Sequence, residues 1–301
     1  MPVVSEGLRG RRAALGVVVA CAAQFLVGVD GLAVAIALPT LQADLGVAPI
    51  DGQWVLTAYG LAFGGALLLG GRLGDLYGRR RLLVSGMALF ACGSLVAGTA
   101  QGLVTLVAAR VLQGLGSAAA VPAALALIGS LVAPGRARTR ALSLLAAMAS
   151  VGVISGLLTG GLVTGLLGWR WVFLLTAVPA AAAAVAAARV LPEVRATRRP
   201  AAPDVVGAAL VTGGAMALLL GVTGIERGGV GAASTIVPLL AGVALLAAFG
   251  RWERQARAPL VRFGILRVRS LRAASLGVGV NAIARKPAPS RPARRRRSPP
   301  A

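Results

Sequence analysis

The sequence predicts an all-α integral membrane protein, and its composition, apolar runs and charge placement all support this fold class. The chain has 301 residues, of which 57% are hydrophobic and only 13% are charged, whereas soluble domains carry about 25% charged residues. Apolar runs of about twenty residues recur along it, and a helix of this length crosses the hydrocarbon core of a bilayer. Short polar connectors rich in arginine separate the runs. The lipid bilayer is therefore the first predicted partner.

Eight membrane-spanning helices are predicted, six of them before a long polar interruption and two after it. The six form an N-terminal bundle over residues 13–188, and the other two lie within residues 204–250. Residues 1–12 are predicted to be a cytoplasmic N-terminus, residues 189–203 a cytoplasmic linker, and residues 251–272 a cytoplasmic or interfacial segment. The predicted spans are 13–38, 53–71, 82–100, 103–131, 141–167, 172–188, 205–225 and 232–250.

The distribution of basic residues predicts which side of the membrane each connector faces. Arginines concentrate in the N-terminus, in alternate connectors and after the eighth span, whereas the opposite side has only Arg170 and Arg227. Because cytoplasmic loops carry the excess of Lys and Arg, we expect a cytoplasmic N-terminus in a multi-pass protein of the plasma or inner membrane. The net charge of +22 then reflects topology. Nucleic acid is not an expected partner, since the basic residues form no face with stacking aromatic side chains.

Residues 273–301 depart from the pattern of spans and connectors. A ninth apolar run begins at Ala273 but stops at Ala284, short of the ~20 residues that a span needs. The rest is mostly proline and arginine, and this composition predicts a disordered basic tail. One interpretation is a functional polybasic tail that binds anionic lipid. The other, favoured because the helix is broken part-way, is a shift of reading frame that truncates a longer protein.

Two ionisable residues in the middle of predicted spans are candidates for function. Asp30 lies eight residues before Leu38, where Pro39 is predicted to end the first helix, and Arg110 lies eight residues into the fourth span. Both are therefore expected about 12 Å below the outer face. A charge inside the bilayer costs at least ~2.5 kcal/mol, so we expect an Asp30–Arg110 pair or a shared cavity.

The Asp30–Arg110 pair has two interpretations. It is either a static ion pair that orients two helices, or a proton-coupling site in which Asp30 gains and loses a proton under the influence of Arg110. Gln24 and Gln113 are the other polar side chains expected at related depths, in a polar cavity.

Residues 70–81 combine turn residues with five charges between the second and third spans. The glycines allow a tight reversal, and Asp75 is placed to cap a helix end. The stretch resembles the loop between the second and third helices of the major facilitator superfamily, although Leu76 stands where that family usually has a base. The alternative is an ordinary basic connector between membrane helices. The residues that match the conformational loop motif are Gly71, Asp75, Gly78, Arg80 and Arg81.

Two further stretches resemble helix motifs of the same superfamily. Residues 110–118 match its fourth-helix motif at Arg110 and Gln113. The fifth span resembles the antiporter motif, except that Leu157 replaces the usual proline, and its glycines leave a nearly bare face suited to close helix packing. Generic packing of small residues is the alternative interpretation. The glycines of this helix-packing motif are Gly152, Gly156, Gly160 and Gly161.

Residues 29–39 and 168–173 resemble signatures of the fourteen-helix drug:proton antiporters within that superfamily. The resemblance implies proton-coupled efflux of small, drug-like molecules, with protons and a small-molecule substrate as partners, through a cavity between two six-helix bundles. The second bundle is missing here, so the chain is expected to be truncated and inactive as a monomer. Neither the substrate nor the oligomeric state is indicated.

Two other classes of function remain open at this stage. The chain could be a non-transporting half-unit or assembly partner that dimerises through the face of residues 152–160, or a membrane-tethered binder that uses the tail at residues 294–297. An enzyme is not indicated, because the sequence shows no nucleophile–base set and no phosphate loop. No cofactor is expected, and no metal site either, since the sequence shows no cluster of metal-ligating residues and has no histidine.

Overall fold

A computed structural model describes residues 3–193 and 205–255, which form helices joined by short connectors and contain no strand. The predicted all-α membrane fold is confirmed. Seven of the helices are long and apolar enough to cross a membrane, and α8 contributes a shorter apolar stretch, Ala209–Ile225. The helices are α1 (Val3–Leu45), α2 (Pro49–Gly52), α3 (Trp54–Tyr77), α4 (Arg79–Gly98), α5 (Leu103–Leu131), α6 (Arg136–Leu167), α7 (Arg170–Val190), α8 (Val205–Gly228) and α9 (Ala233–Glu253).

The first helix does not end at Pro39, as the sequence suggested, but continues to Leu45. A proline inside a helix removes one hydrogen bond and costs about 3 kcal/mol. Here the residues on either side of it are held by packing, because Leu38 and Leu41 are both buried in an apolar cluster with Trp169. This burial offsets the lost hydrogen bond, so the helix passes through the proline.

The connector at residues 70–81 is also shorter than predicted. Helix α3 continues through Gly71 and Asp75 to Tyr77, and α4 begins at Arg79, so the reversal takes place at Gly78 alone. Gly78 has φ +105° and ψ 135°, a conformation open essentially only to glycine. Asp75 therefore lies inside a helix and does not cap one. The turn therefore requires one glycine, whereas the sequence predicted a turn over several glycines.

Other predicted boundaries shift by a few residues or lie outside the described part of the chain. Helix α6 begins at Arg136, so residues 136–140, which lie before the predicted fifth span, are helical. The linker 189–203 is described only to residue 193, and the segment 251–272 only to residue 255. The aborted ninth helix and tail, 273–301, lie wholly outside the described residues.

The helices pack so that two apolar clusters form at different levels along them. Helix α1 packs against α6, α5 against α3 and α4, α4 against α7, and α8 against α9 and α3. The first cluster, at the end where α3 meets α4, contains Phe90 and Leu127. The second cluster, at the opposite end, contains Leu106, Trp169 and Phe173. Along α1, α4 and α5, buried polar residues lie between these two clusters and form a polar layer.

Candidate functional site

A buried polar layer lies between the two apolar clusters, and its fully buried members come from α1, α4 and α5. Each of Asp30, Ser94, Arg110 and Gln113 exposes 1% or less of its surface. Because isolated polar groups are costly in an apolar interior, such a layer is stable only when its members satisfy one another's hydrogen bonds.

Asp30 and Arg110 form a direct ion pair at the centre of this layer. The Arg110 Nη1 atom donates to Asp30 Oδ2 at 2.6 Å and to the side-chain oxygen of Gln113 at 2.9 Å. The amide nitrogen of Gln113 donates in turn to Asp30 Oδ1 at 3.0 Å. Both oxygens of the carboxylate therefore accept a hydrogen bond, and α1 is joined to α5 through two side chains.

Ser94 connects this pair to α4. The amide nitrogen of Gln113 also donates to Ser94 Oγ at 2.8 Å, and Ser94 Oγ donates to the carbonyl oxygen of Phe90 at 2.9 Å. The orientation of the Gln113 amide is set by these partners, because its oxygen faces the guanidinium while its nitrogen faces the carboxylate and the hydroxyl.

Helix α3 provides two further contacts to Arg110. The Nε atom donates to the carbonyl oxygen of Val55 at 3.0 Å, and the guanidinium carbon lies 4.3 Å from the centroid of the Tyr59 ring. The Phe173 ring of α7 is more distant, at 6.0 Å. The Tyr59 hydroxyl donates to Ser117 Oγ at 3.1 Å and fixes the ring over the cation. Arg110 thus has one charged partner and several neutral ones.

The neutral contacts of Arg110 do not depend on the charge of Asp30. A guanidinium stays protonated throughout, so the carboxylate is the group whose charge can change. Removing one partner of a buried ion pair typically costs 3–5 kcal/mol, because the other charge is left without compensation. Here the carbonyl of Val55, the oxygen of Gln113 and the ring of Tyr59 remain beside Arg110 if Asp30 becomes neutral.

The structure brings together three of the four side chains that the sequence singled out for this site. Gln24 is half-buried and lies outside the network, whereas Asp30, Arg110 and Gln113 form its core. Sequence reasoning missed Ser94 and Tyr59. The sequence indicates each of them only weakly, because each is a single polar side chain in the interior of an apolar span.

The arginines after Gly78 contact α3, α5, α7 and the segment that follows α7. Arg79 Nη1 donates to the carbonyl oxygen of Ala126 in α5 at 3.0 Å, and its Nη2 lies 3.4 Å from Asp75 Oδ1. Arg80 Nη2 donates to the carbonyl oxygen of Ala188, in the last turn of α7. The carbonyls of a last turn lack partners within their own helix, so an arginine stabilises them.

Arg81 and Glu193 complete the set of contacts at this end. Arg81 Nε lies 3.6 Å from Glu193 Oε2, and the other carboxylate oxygen of Glu193 lies against the Cα of Gly78, where a Cβ would collide with it. Of the predicted loop motif, Gly78 lies in the turn, whereas the other four residues are helical: Gly71 and Asp75 in α3, Arg80 and Arg81 in α4.

The glycines of α6 lie directly against the backbone of α1. A Cβ at Gly152 or Gly156 would overlap a carbonyl oxygen of α1, and one at Gly160 would lie 2.8 Å from the Cα of Ala33. Gly161 faces open space instead. A contributor that the sequence analysis missed is Gly28 of α1, where a Cβ would lie 2.7 Å from the carbonyl oxygen of Ala149.

Because α1 occupies the face of residues 152–160, a second chain could dimerise through it only by displacing α1. The close packing that these small residues permit is used within the chain.

At the opposite end of the bundle, three side chains join α1 to the start of α7. Asp44 Oδ2 accepts hydrogen bonds from Trp169 Nε1 at 3.0 Å and from Arg170 Nη1 at 2.7 Å. Arg170 also donates to the carbonyl oxygen of Ala100 at 3.3 Å, and its guanidinium carbon lies 4.3 Å from the Trp169 ring centroid. Trp169 is 2% exposed, so it anchors the bundle internally.

The sequence is similar to a family model and to proteins of known name. The family model of the Major Facilitator Superfamily matches residues 20–284. The puromycin resistance protein of Streptomyces alboniger is 42% identical over 282 residues, which cover 93% of this chain and 56% of that protein. The cephamycin export protein of Amycolatopsis lactamdurans is 43% identical over 253 residues, 83% of this chain and 52% of that protein.

A solved structure has the same fold at lower sequence identity. The peptide transporter POT, in complex with sulfate, matches with a TM-score of 0.61 at 18% identity, over 83% of this chain and 56% of that one. The chain spans about half the length of the curated relatives it matches.

Proposed function

This chain belongs to the Major Facilitator Superfamily, a family of multi-pass membrane transporters, and we propose that it serves proton-coupled export of small organic molecules. Asp30 is the proton site in this proposal, and Arg110 is the fixed cation beside it. The observation that carries the proposal is the buried Asp30–Arg110 pair, which lies in a layer with hydrogen-bonding partners from α4 and α5 and with α3 beside it.

A purely static ion pair would need the same hydrogen-bonding partners, so the argument for a further role is energetic. Buried ion pairs contribute little net stability compared with apolar residues of similar volume, so packing alone does not account for a polar layer across the bundle. A group that changes charge during transport does need one, because each state must keep its polar atoms satisfied. Gln113 is suited to this, since its amide faces both members of the pair.

The substrate class in this proposal rests on the relatives. Their names concern antibiotics, puromycin in one case and cephamycin in another, so we propose small organic compounds of this kind as substrates and puromycin as the first to test. Because the chain spans about half the length of these relatives, the activity of a whole transporter is itself part of the proposal.

The proposed orientation places the Gly78 end of the bundle in the cytoplasm of the cell. The arginines at residues 79–81 lie there, and cytoplasmic ends of membrane helices carry the excess of basic residues. The N-terminus is then cytoplasmic too, in the cell membrane.

Transport by reconstituted protein tests the proposal. The 301-residue chain is placed in liposomes, a proton gradient is imposed, and movement of radiolabelled puromycin is followed. Where the chain moves puromycin, we expect the movement to depend on the proton gradient, to be abolished by Asp30→Asn and to be preserved in Asp44→Asn, since Asp44 is a half-exposed carboxylate outside the polar layer. Gradient-dependent transport that persists in Asp30→Asn would refute the proton role of Asp30. A wild-type chain that moves no puromycin would refute export of this compound by the chain itself.

A further inference from the structure

Tyr59 lies beside Arg110 in the polar layer. The inference drawn from this position rests on the proton role of Asp30 proposed above. We propose that Tyr59 is a positioning residue whose ring holds the Arg110 guanidinium while Asp30 is protonated. The ring centroid lies 4.3 Å from the guanidinium carbon, well within the range of a cation–π contact. The Tyr59 ring is uncharged, so its contact with Arg110 persists when Asp30 becomes neutral.

The geometry sets Tyr59 apart from the other aromatic side chain near Arg110. Phe173 lies at 6.0 Å, the outer limit for such a contact. The Tyr59 ring is also held in place, because its hydroxyl donates to the fully buried Ser117. In addition, Arg110 Nε donates to the carbonyl of Val55, one helical turn before Tyr59. One turn of α3 therefore gives the guanidinium two neutral contacts.

Few ionisable groups other than Arg110 lie near Asp30 to produce the same effect. In the part of the chain that the structure describes, the charged or titratable side chains in the polar layer are Asp30 on α1, Arg110 on α5 and Tyr59 on α3. Helix α4 contributes Ser94, which does not titrate at accessible pH. Helix α6 contacts this level of α1 through Gly156, and α7 contributes Phe173.

The ring favours the protonated state for an electrostatic reason. A guanidinium paired with a carboxylate has its charge largely compensated, so the ring adds little to it. Once Asp30 is neutral, the same guanidinium is uncompensated in an apolar interior, and its attraction to the ring is stronger. Removing the ring therefore makes protonation of Asp30 less favourable, and a more acidic pH is needed to reach the midpoint.

The test is a titration of Asp30 in the intact 301-residue chain by infrared difference spectroscopy in liposomes. The carbonyl stretch of a protonated carboxyl group is followed against pH, and the band lost in Asp30→Asn identifies the signal of Asp30. We expect Tyr59→Leu to move the midpoint of this band by about 0.5 to 1 pH unit towards acid, a three- to tenfold weaker binding of the proton. Tyr59→Phe keeps the ring but loses the hydroxyl bond to Ser117, so its midpoint should stay much closer to wild type than that of Tyr59→Leu.

Phe63→Leu is the matched control, because Phe63 stacks on Tyr59 with centroids 6.0 Å apart but does not lie over Arg110. A midpoint in Tyr59→Leu equal to wild type would overturn the proposal. So would an equal shift in Phe63→Leu or in Tyr59→Phe, since the effect would then come from packing or from the hydroxyl.

A second series keeps the proposal falsifiable if Tyr59→Leu does not fold. Phenylalanine with successive ring fluorines at position 59 keeps the shape of the ring and weakens its negative face. We expect the midpoint to move stepwise towards acid, and a constant midpoint would refute the cation–π contact. If Asp30→Asn removes no band at any pH, both this proposal and the proton role of Asp30 fail. A band that titrates but ignores position 59 overturns only the role of Tyr59, whereas the export function stands or falls on the transport assay.

Discussion

Replacing Arg110 by methionine should destabilise the protein by far more than the same change in another arginine ion pair of the bundle. Arg110 and Asp30 are 1% and 0% exposed, so the substitution leaves a buried carboxylate without its counter-charge. Loss of one partner of a buried pair typically costs 3–5 kcal/mol. Methionine fills most of the volume of the arginine stem, so the expected loss comes from the charge and not from a cavity.

The matched control is Arg170→Met, which breaks the Asp44–Arg170 pair. Those side chains are 48% and 40% exposed, so solvent compensates the remaining carboxylate and the effect should be much smaller. The double variant Asp30→Leu with Arg110→Met should recover at least half of the loss, because it leaves no buried charge. Acid should also rescue Arg110→Met alone, since a neutral Asp30 needs no counter-charge.

Unfolding in detergent, followed by tryptophan fluorescence as temperature or denaturant rises, measures these differences. All four forms are compared at neutral pH, and Arg110→Met is compared again at acidic pH. If Arg110→Met were no less stable than Arg170→Met, the buried pair would have to be accessible to water, and the reasoning about the polar layer would be wrong.

Three further predictions use the same unfolding assay. Gly156→Ala should cost about 1–3 kcal/mol because its Cβ meets the backbone of α1, whereas Gly161→Ala faces open space and should be close to neutral; equal effects would refute the α1–α6 contact. Gly78→Ala should cost about 1–3 kcal/mol because φ is +105° there, and an unchanged stability would mean that the turn has another conformation. Arg80→Met should cost about 1 kcal/mol by leaving a last-turn carbonyl of α7 unpaired, while Arg81→Met, 65% exposed, should cost less; the reverse order would contradict these contacts.

Much of the polar layer could be predicted from the sequence, because charged side chains are costly inside a bilayer and therefore stand out in an apolar span. Only one acid and one base stand in the middle of the first six spans, and counting residues from the helix ends places both at the same depth. Their contact in the structure, at 2.6 Å, follows the same geometry. Tyr59 and Ser94 could not be identified in this way, since tyrosine and serine occur in spans for many reasons and depth does not say which face of a helix they occupy.

The turn at Gly78 and the helix through Pro39 show the opposite situation. Local rules predicted a broad loop of several glycines and a helix that stops at a proline. Instead α3 stays helical to Tyr77, and α1 continues because Leu41 is buried beyond the proline. Local preferences of about 1–3 kcal/mol per residue are of the same size as the burial of a single large side chain, so packing reverses them.

The sequence by itself determined that the chain is helical, that it spans a membrane several times, and that Asp30 and Arg110 lie at one depth. Those features depend on the length and polarity of each segment, which can be compared separately with the thickness and polarity of the bilayer core. Only the tertiary structure decided which groups surround the pair, which backbone the glycines of α6 contact, and where Arg79, Arg80 and Arg81 reach. These depend on the rotation of each helix about its own axis, and neighbouring helices set that rotation through side-chain packing.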